Sequence, residues 1–187
     1  AIYKGKIIMD WRDQDPTLKI YEHADMFRVT IMANNLTGAG YQDADEPSVE
    51  NILAAIRKML YITGPGQGQV LALYQKYGKP ILIEFIYTSS FTGAPGSLGQ
   101  HWDNVPGITT WYGNNPTIPI DQQVQANVYE AALIAAHDYD WIEGVFSFGY
   151  ALSDRDDKEV SIRAKLAEQV VKKWYRWINP NKRHLTT

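Results

Sequence analysis

The run Lys79-Pro80-Ile81-Leu82-Ile83-Glu84-Phe85-Ile86-Tyr87 constrains the fold more than any other stretch of this chain. Its apolar side chains are continuous, not alternating, so a strand here must be buried on both faces, as in parallel sheets covered by helices. A carboxylate, Glu84, stands near the far end of that strand. In parallel sheets function gathers at the carboxyl ends of the strands, so Glu84 becomes the first candidate for chemistry.

The rest of the chain alternates in the same sense. Lys6 to Asp10 reads as a first strand, and Asp15-Pro16 as a helix start leading to a short amphipathic segment through Tyr21. Asp25 to Met32 reads as a second strand, followed from Ala33 to Pro47 by a loop rich in Asn, Gly and Asp. Ser48 to Tyr61 has helical periodicity, with Ile52, Ala55, Ile56 and Met59 on one stripe. A second helical piece runs from Val70 to Gly78, which suits a helix C-cap. After the strand over 80–87, the stretch from Thr88 to Ile120 is a long polar and aromatic loop of the kind that carries function. Asp121 opens a helix with the stripe Val124, Val128, Ala131, Ala132 and Ala135, ending near His137-Asp138. Trp141 to Tyr150 is the fourth strand, and a final helix carries Leu166, Val170, Val171, Trp174 and Ile178 before stopping ahead of Asn179-Pro180.

Four strand-helix units of this kind imply right-handed crossovers and a parallel sheet. Long loops follow the strands, while short turns such as Tyr77-Gly78-Lys79 and Asp138-Tyr139-Asp140 precede them. That asymmetry is the habit of a (β/α) barrel, whose active face is built from the βα loops.

Composition narrows the function. At 187 residues and 45% hydrophobic the chain reads as one domain able to bury a core. A net charge of -3 with scattered Lys and Arg argues against nucleic acid as a partner, and no apolar run reaches the ~20 residues of a membrane span. The absence of Cys removes disulfides and thiolate metal sites. His23 and His101 belong to no cluster with metal-ligand spacing, and no cofactor is expected. Gly64-Pro65-Gly66-Gln67-Gly68 lacks the Lys-Ser/Thr end of a phosphate loop, and Ser89-Ser90 and Ser147 lack a nucleophile-elbow context.

Tyr77-Gly78-Lys79-Pro80-Ile81-Leu82-Ile83-Glu84, then Tyr129-Glu130-Ala131-Ala132, Trp141-Ile142-Glu143-Gly144-Val145-Phe146 and Ser161-Ile162-Arg163-Ala164-Lys165-Leu166-Ala167-Glu168 form an ordered series. The series resembles the carboxyl-terminal half of retaining (β/α)8 glycoside hydrolases, closest to the endo-β-mannanase-like group. There the seventh strand ends in a nucleophilic Glu, the eighth reads Gly-Val-Phe-Trp-Trp, and the last helix is opened by Ser-x-Arg-Gly-Lys-Pro-Ala-Glu. Here Ser147 and Phe148 replace the two Trp, Ala164 and Leu166 replace Gly and Pro, and Phe85 follows Glu84 where a small residue is usual. By this resemblance the fold is an α/β barrel of the TIM type, of which residues 1–187 supply strands five to eight as a single domain. The family's acid/base Glu on strand four has no counterpart. The chain is then expected to be part of a longer polypeptide or one half of a split barrel, its sheet closed by an amino-terminal half-barrel or by self-association.

The resemblance implies hydrolysis of β-linked glycosidic bonds, with Glu84 as nucleophile and a polysaccharide or oligosaccharide, mannan-like or otherwise β-linked, as substrate. Glu84 must be ionised to attack, so donors such as Tyr87 or a residue of the preceding strand are expected beside it. An ion-paired buried Glu is the structural alternative. Asp10 could reach the same face, although a cap or salt bridge is its ordinary role. Aromatic side chains stack on the CH faces of sugars, which makes Trp102, Trp111 and Tyr112 of the long loop, with Tyr87, Phe148 and Tyr150, candidate substrate contacts. Asp154, with Asp156 in the charged run beyond the fourth strand, is a candidate sugar ligand or a solvated loop residue. Trp141, Trp174 and Trp177 read as packing residues. The alternative function is a barrel without catalysis, serving as a carbohydrate-binding or structural module of an extracellular or phage-like assembly. The expected setting is extracellular or the cell surface, with the cytoplasm left open.

Overall fold

The computed structural model describes residues 5–11, 19–31, 36, 39–42, 47–61, 70–85, 89–95, 119–147, 150, 158 and 160–181. Four strands, β1 (Ile8–Trp11), β2 (Met26–Ile31), β3 (Ile81–Phe85) and β4 (Ile142–Ser147), form one sheet in sequence order, every pair parallel. The helices are α1 (Val49–Tyr61), α2 (Val70–Tyr77), α3 (Gln122–Asp138) and α4 (Leu166–Asn181), with a 3-10 turn at Lys19–His23. Sequential parallel strands with intervening helices are a partial (β/α)8 fold, as the alternation of patterns predicts.

Bounds differ from the sequence expectation where pairing, not composition, sets them. β1 starts at Ile8 because Ile7 is spent on the entry to β2: its N–H donates to Asp25 Oδ2 at 2.7 Å and its carbonyl accepts from Asp25 N at 2.9 Å. β4 starts at Ile142, since the Trp141 carbonyl already accepts from Ile81 N at 2.9 Å while its ring stacks on Tyr74 and Tyr139. α4 runs on through Pro180 to Asn181, past the expected stop: a proline this close to the carboxyl end removes one backbone bond where the helix frays and leaves its interior intact.

The two faces of the sheet have different fates. Phe27 and Val29, Ile81 and Ile83, and Ile142 and Val145 point to the helices and share one core with Ile52, Ile56, Met59 and Leu60 of α1 and with Val128, Ala131, Ala132 and Ala135 of α3. The expected stripe on α1 is the buried one. α3 departs from a single stripe: it packs between α1 and α4 as well as over the sheet, and Gln125, Tyr129 and Leu133 are buried too. A helix enclosed on several sides must be apolar nearly all round, and its alanines let the neighbours approach. Trp141 and Trp174 pack against this core as expected, and the side chain of Trp177 lies outside the described residues.

The opposite face carries Ile8, 51% exposed, then Asp10 and Arg28, Thr30 and Glu84, with Leu82, Gly144 and Phe146 partly covered. Glu143 bulges out of register between Ile142 and Gly144, and this returns Phe146 to Glu84's side.

Candidate active site

Strand register sets the candidate site. Thr30 on β2 is the direct neighbour of Glu84 on β3, and Asp10 on β1 is the neighbour of Arg28 on β2. Successive residues alternate faces, so Arg28 and Thr30, two apart, lie on the same face as Glu84 with Arg28 one layer nearer the strand starts. Glu84 is 4% exposed. Its Oε2 accepts from Thr30 Oγ1 at 3.2 Å and its Oε1 from Arg28 Nη1 at 3.5 Å. The same guanidinium grips Asp10 with its other edge, Nε to Oδ1 at 3.2 Å and Nη2 to Oδ2 at 3.0 Å. The hydrogen bond to Asp10 pushes Arg28 above its ordinary value, burial opposes it, and the charge of Glu84 adds to the rise. One cation therefore serves two carboxylates.

Two donors from the preceding strand thus stand beside Glu84, and the ion pair of the structural alternative is present as well. Asp10 takes the salt-bridge role. Arg28 and Thr30 escaped the sequence reading. The signal was there in Met26-Phe27-Arg28-Val29-Thr30-Ile31, where polar side chains alternate with apolar ones in a strand whose other face is core.

Two βα connections are fastened beside this face. The segments around the long loop meet in an antiparallel bridge of Phe91 with Ile120, supported by Thr92 N to Pro119 O at 3.2 Å and Asp121 N to Ser90 O at 2.9 Å. Asp121 then caps α3, its Oδ1 accepting from Gln123 N and Val124 N at 3.1 Å each. Lys165, 2% exposed, crosses from the start of α4 to donate to Ser90 Oγ at 2.9 Å. A buried ammonium needs such partners, and Ser90 is one of them.

Tyr150 is 56% exposed, and its hydroxyl donates to Glu168 Oε1 at 2.5 Å while Arg163 lies over its ring. The described bonds therefore tie Tyr150 to the first turn of α4 and Glu84 to β2. Glu168 also accepts from Lys172 Nζ at 2.9 Å and Ala164 N at 2.8 Å, and with Tyr150 these donors hold its carboxyl down at about 2. Ser147 has its hydrogen bond with the buried Tyr129, whose phenol is pushed up by that burial. Tyr87, Trp102, Trp111, Tyr112, Phe148, Asp154 and Asp156 lie outside the described residues. His23 is exposed at the end of the 3-10 turn, and no group of acids and histidines able to hold a metal occurs among the described residues.

Parallel β1 to β4 with their helices on one face, and polar side chains gathered at the strands' carboxyl ends on the other, define part of a (β/α)8 barrel. Among solved structures this chain is similar to a GH113 β-1,4-mannanase, with a TM-score of 0.57 and 18% identity, over 93% of this chain and 46% of that one. A complex of a GH113 β-1,4-mannanase gives a TM-score of 0.55 and 17% identity over the same shares. The chain spans just under half the length of these structures. No protein-family model matches the sequence, and no curated protein does.

Proposed function

We propose that this chain carries the nucleophile half of a retaining β-glycosidase active site, with Glu84 as the nucleophile and β-1,4-linked mannan-like chains as the substrate class. One observation carries the reading: a buried carboxylate at the carboxyl end of β3, both oxygens held from β2 by Thr30 and Arg28, in a fold shared with β-1,4-mannanases. A nucleophile needs this arrangement because a carboxylate held in one rotamer meets the anomeric carbon in line. Glu84 Oε attacks the anomeric carbon as an acid protonates the departing glycosidic oxygen, giving a glycosyl ester. Water, deprotonated by the same acid's conjugate base, then cleaves that ester and restores Glu84. The acid/base group belongs to the strands that complete the barrel, and an amino-terminal half-barrel in the same polypeptide is the partner this proposal names. Trp102, Trp111, Tyr112, Tyr87, Phe148 and Tyr150 supply the stacking surface, and Asp154 a hydroxyl contact.

A second reading, a barrel that binds sugar or builds an assembly without cleaving it, is favoured by the second carboxyl group of the cluster: Asp10 is committed to Arg28 and so is not placed to donate a proton. The full-length protein separates the two. Glu84→Gln is expected to reduce hydrolysis of β-1,4-manno-oligosaccharides by ~1,000-fold or more, and azide is expected to restore turnover of an activated mannoside by Glu84→Ala. Unchanged hydrolysis in Glu84→Gln removes Glu84 from the mechanism, and no hydrolysis by the wild type with oligosaccharide binding intact selects the second reading.

A further inference from the structure

The geometry points to Arg28 as a positioning residue for Glu84, with Asp10 as the anchor that sets how much of the guanidinium Glu84 receives. The inference rests on the reading of Glu84 as nucleophile. Arg28 belongs to the layer below Glu84, since its strand neighbour on β3 is Leu82 while Thr30 is the neighbour of Glu84. It approaches the carboxylate from the side of the strand starts, one layer beneath. Its planar fork has two usable edges: the Nε/Nη2 edge is closed by Asp10 at 3.2 and 3.0 Å, and only Nη1 reaches Glu84, at 3.5 Å. The longer contact is the one to the candidate nucleophile. Such a division holds the rotamer of Glu84, with Thr30 fixing the other oxygen, without giving it the strong bidentate pair that would blunt a carboxylate as an attacking group. Asp10 and Arg28 are each about one-third exposed and Glu84 is nearly closed off, so the anchor stands on the wet side of the row and the nucleophile on the dry side.

The test uses the full-length protein labelled with 13C at glutamate Cδ, the Glu84 resonance being assigned by its loss in Glu84→Gln. In Arg28→Met the Glu84 resonance is expected to shift while the amide spectrum stays folded, and kcat for a β-1,4-manno-oligosaccharide to fall about tenfold to a hundredfold with KM little changed. Asp10→Asn, which reaches Glu84 only through Arg28, is expected to shift the same resonance and to lower kcat by a smaller factor. Arg28→Lys restores only part of kcat, because an ammonium is a point charge that cannot present two edges to two carboxylates. A Glu84 resonance unmoved in folded Arg28→Met overturns the inference. If Arg28→Met does not fold, Asp10→Asn decides in the same way. Should Glu84→Gln leave hydrolysis unchanged, the nucleophile assignment fails, while the resonance still decides whether Arg28 positions Glu84.

Discussion

Ala164 has φ of 59°, the one non-glycine residue among those described that adopts the left-handed conformation. Its Cβ crowds the following carbonyl there, at a cost of roughly 1 kcal/mol. The glycoside hydrolase motif that this segment resembles has Gly at the matching position. The geometry explains why: the chain must turn sharply between Ile162, whose carbonyl accepts from Lys165 N at 3.1 Å, and the first turn of α4. Ala164→Gly is therefore expected to raise stability by about 0.5–1 kcal/mol, part of the relief being lost to the greater freedom of Gly in the unfolded chain. Chemical denaturation at neutral pH reads the difference directly, and a lower midpoint for Ala164→Gly would show that the turn is not strained. Leu166 departs from the motif without such a cost. Its N–H donates to Gln122 Oε1 at 3.3 Å, a bond that the Pro of the motif could not make.

At the scale of the element, the first turn of α4 is organised by Glu168, whose carboxylate gathers Ala164 N, Tyr150 Oη and Lys172 Nζ. These bonds favour the ionised form in the folded state, where the carboxyl sits at about 2, against an unfolded value of ~4.3. A depressed folded value stabilises the protein above the unfolded one and loses that contribution as the pH falls toward the folded one. The stability difference between wild type and Glu168→Gln is thus expected to be constant from pH 7 to about pH 5 and to shrink between about pH 4.5 and pH 2. Urea titrations across that range check it, and a difference that is flat with pH would mean that the bonds are not formed in solution.

Elements of this kind were legible to different degrees. α1 could be read almost to its ends and β3 at its start, because an apolar stripe and an unbroken apolar run are local signals, while Ile86 and Tyr87 of the expected strand lie outside the described residues; Gly78, at φ of 63°, stops α2 where a C-cap should. The site was half legible. Glu84 stands out from its strand, but the Arg28 and Thr30 contacts span 56 and 54 residues and exist only through strand register. Lys165 was hidden for the same reason: nothing next to it in sequence indicates a buried bond to Ser90, 75 residues earlier. Asp10 was ambiguous until its neighbour across β1 and β2 was known.

The whole molecule is asymmetric about its sheet. Helices seal one face, while Ile7 and Ile8 are exposed and both outer strands, β1 and β4, have a free parallel edge among the described residues. Hydrogen exchange should follow that plan. Amides of β2 and β3, bonded on both sides, are expected to exchange most slowly. Those of β1 and β4 should be fast in the isolated chain and slow by at least about tenfold when the proposed amino-terminal half-barrel is present. Equal rates for β1 and β4 in both preparations would rule out closure through those edges.

The bridge of Phe91 with Ile120, with the bonds of Thr92 to Pro119 and of Asp121 to Ser90, makes the ends of the long β3–α3 connection neighbours before any of its interior is considered. Evolution can then treat the residues between those ends as an exchangeable cassette. Doubling the length of such a loop adds only about 0.6 kcal/mol of closure entropy, and the cap of α3 and the placement of Glu84 are built from residues outside it. In the proposed glycosidase, rewriting this insert would diversify substrate range while the strands beneath it stay the same.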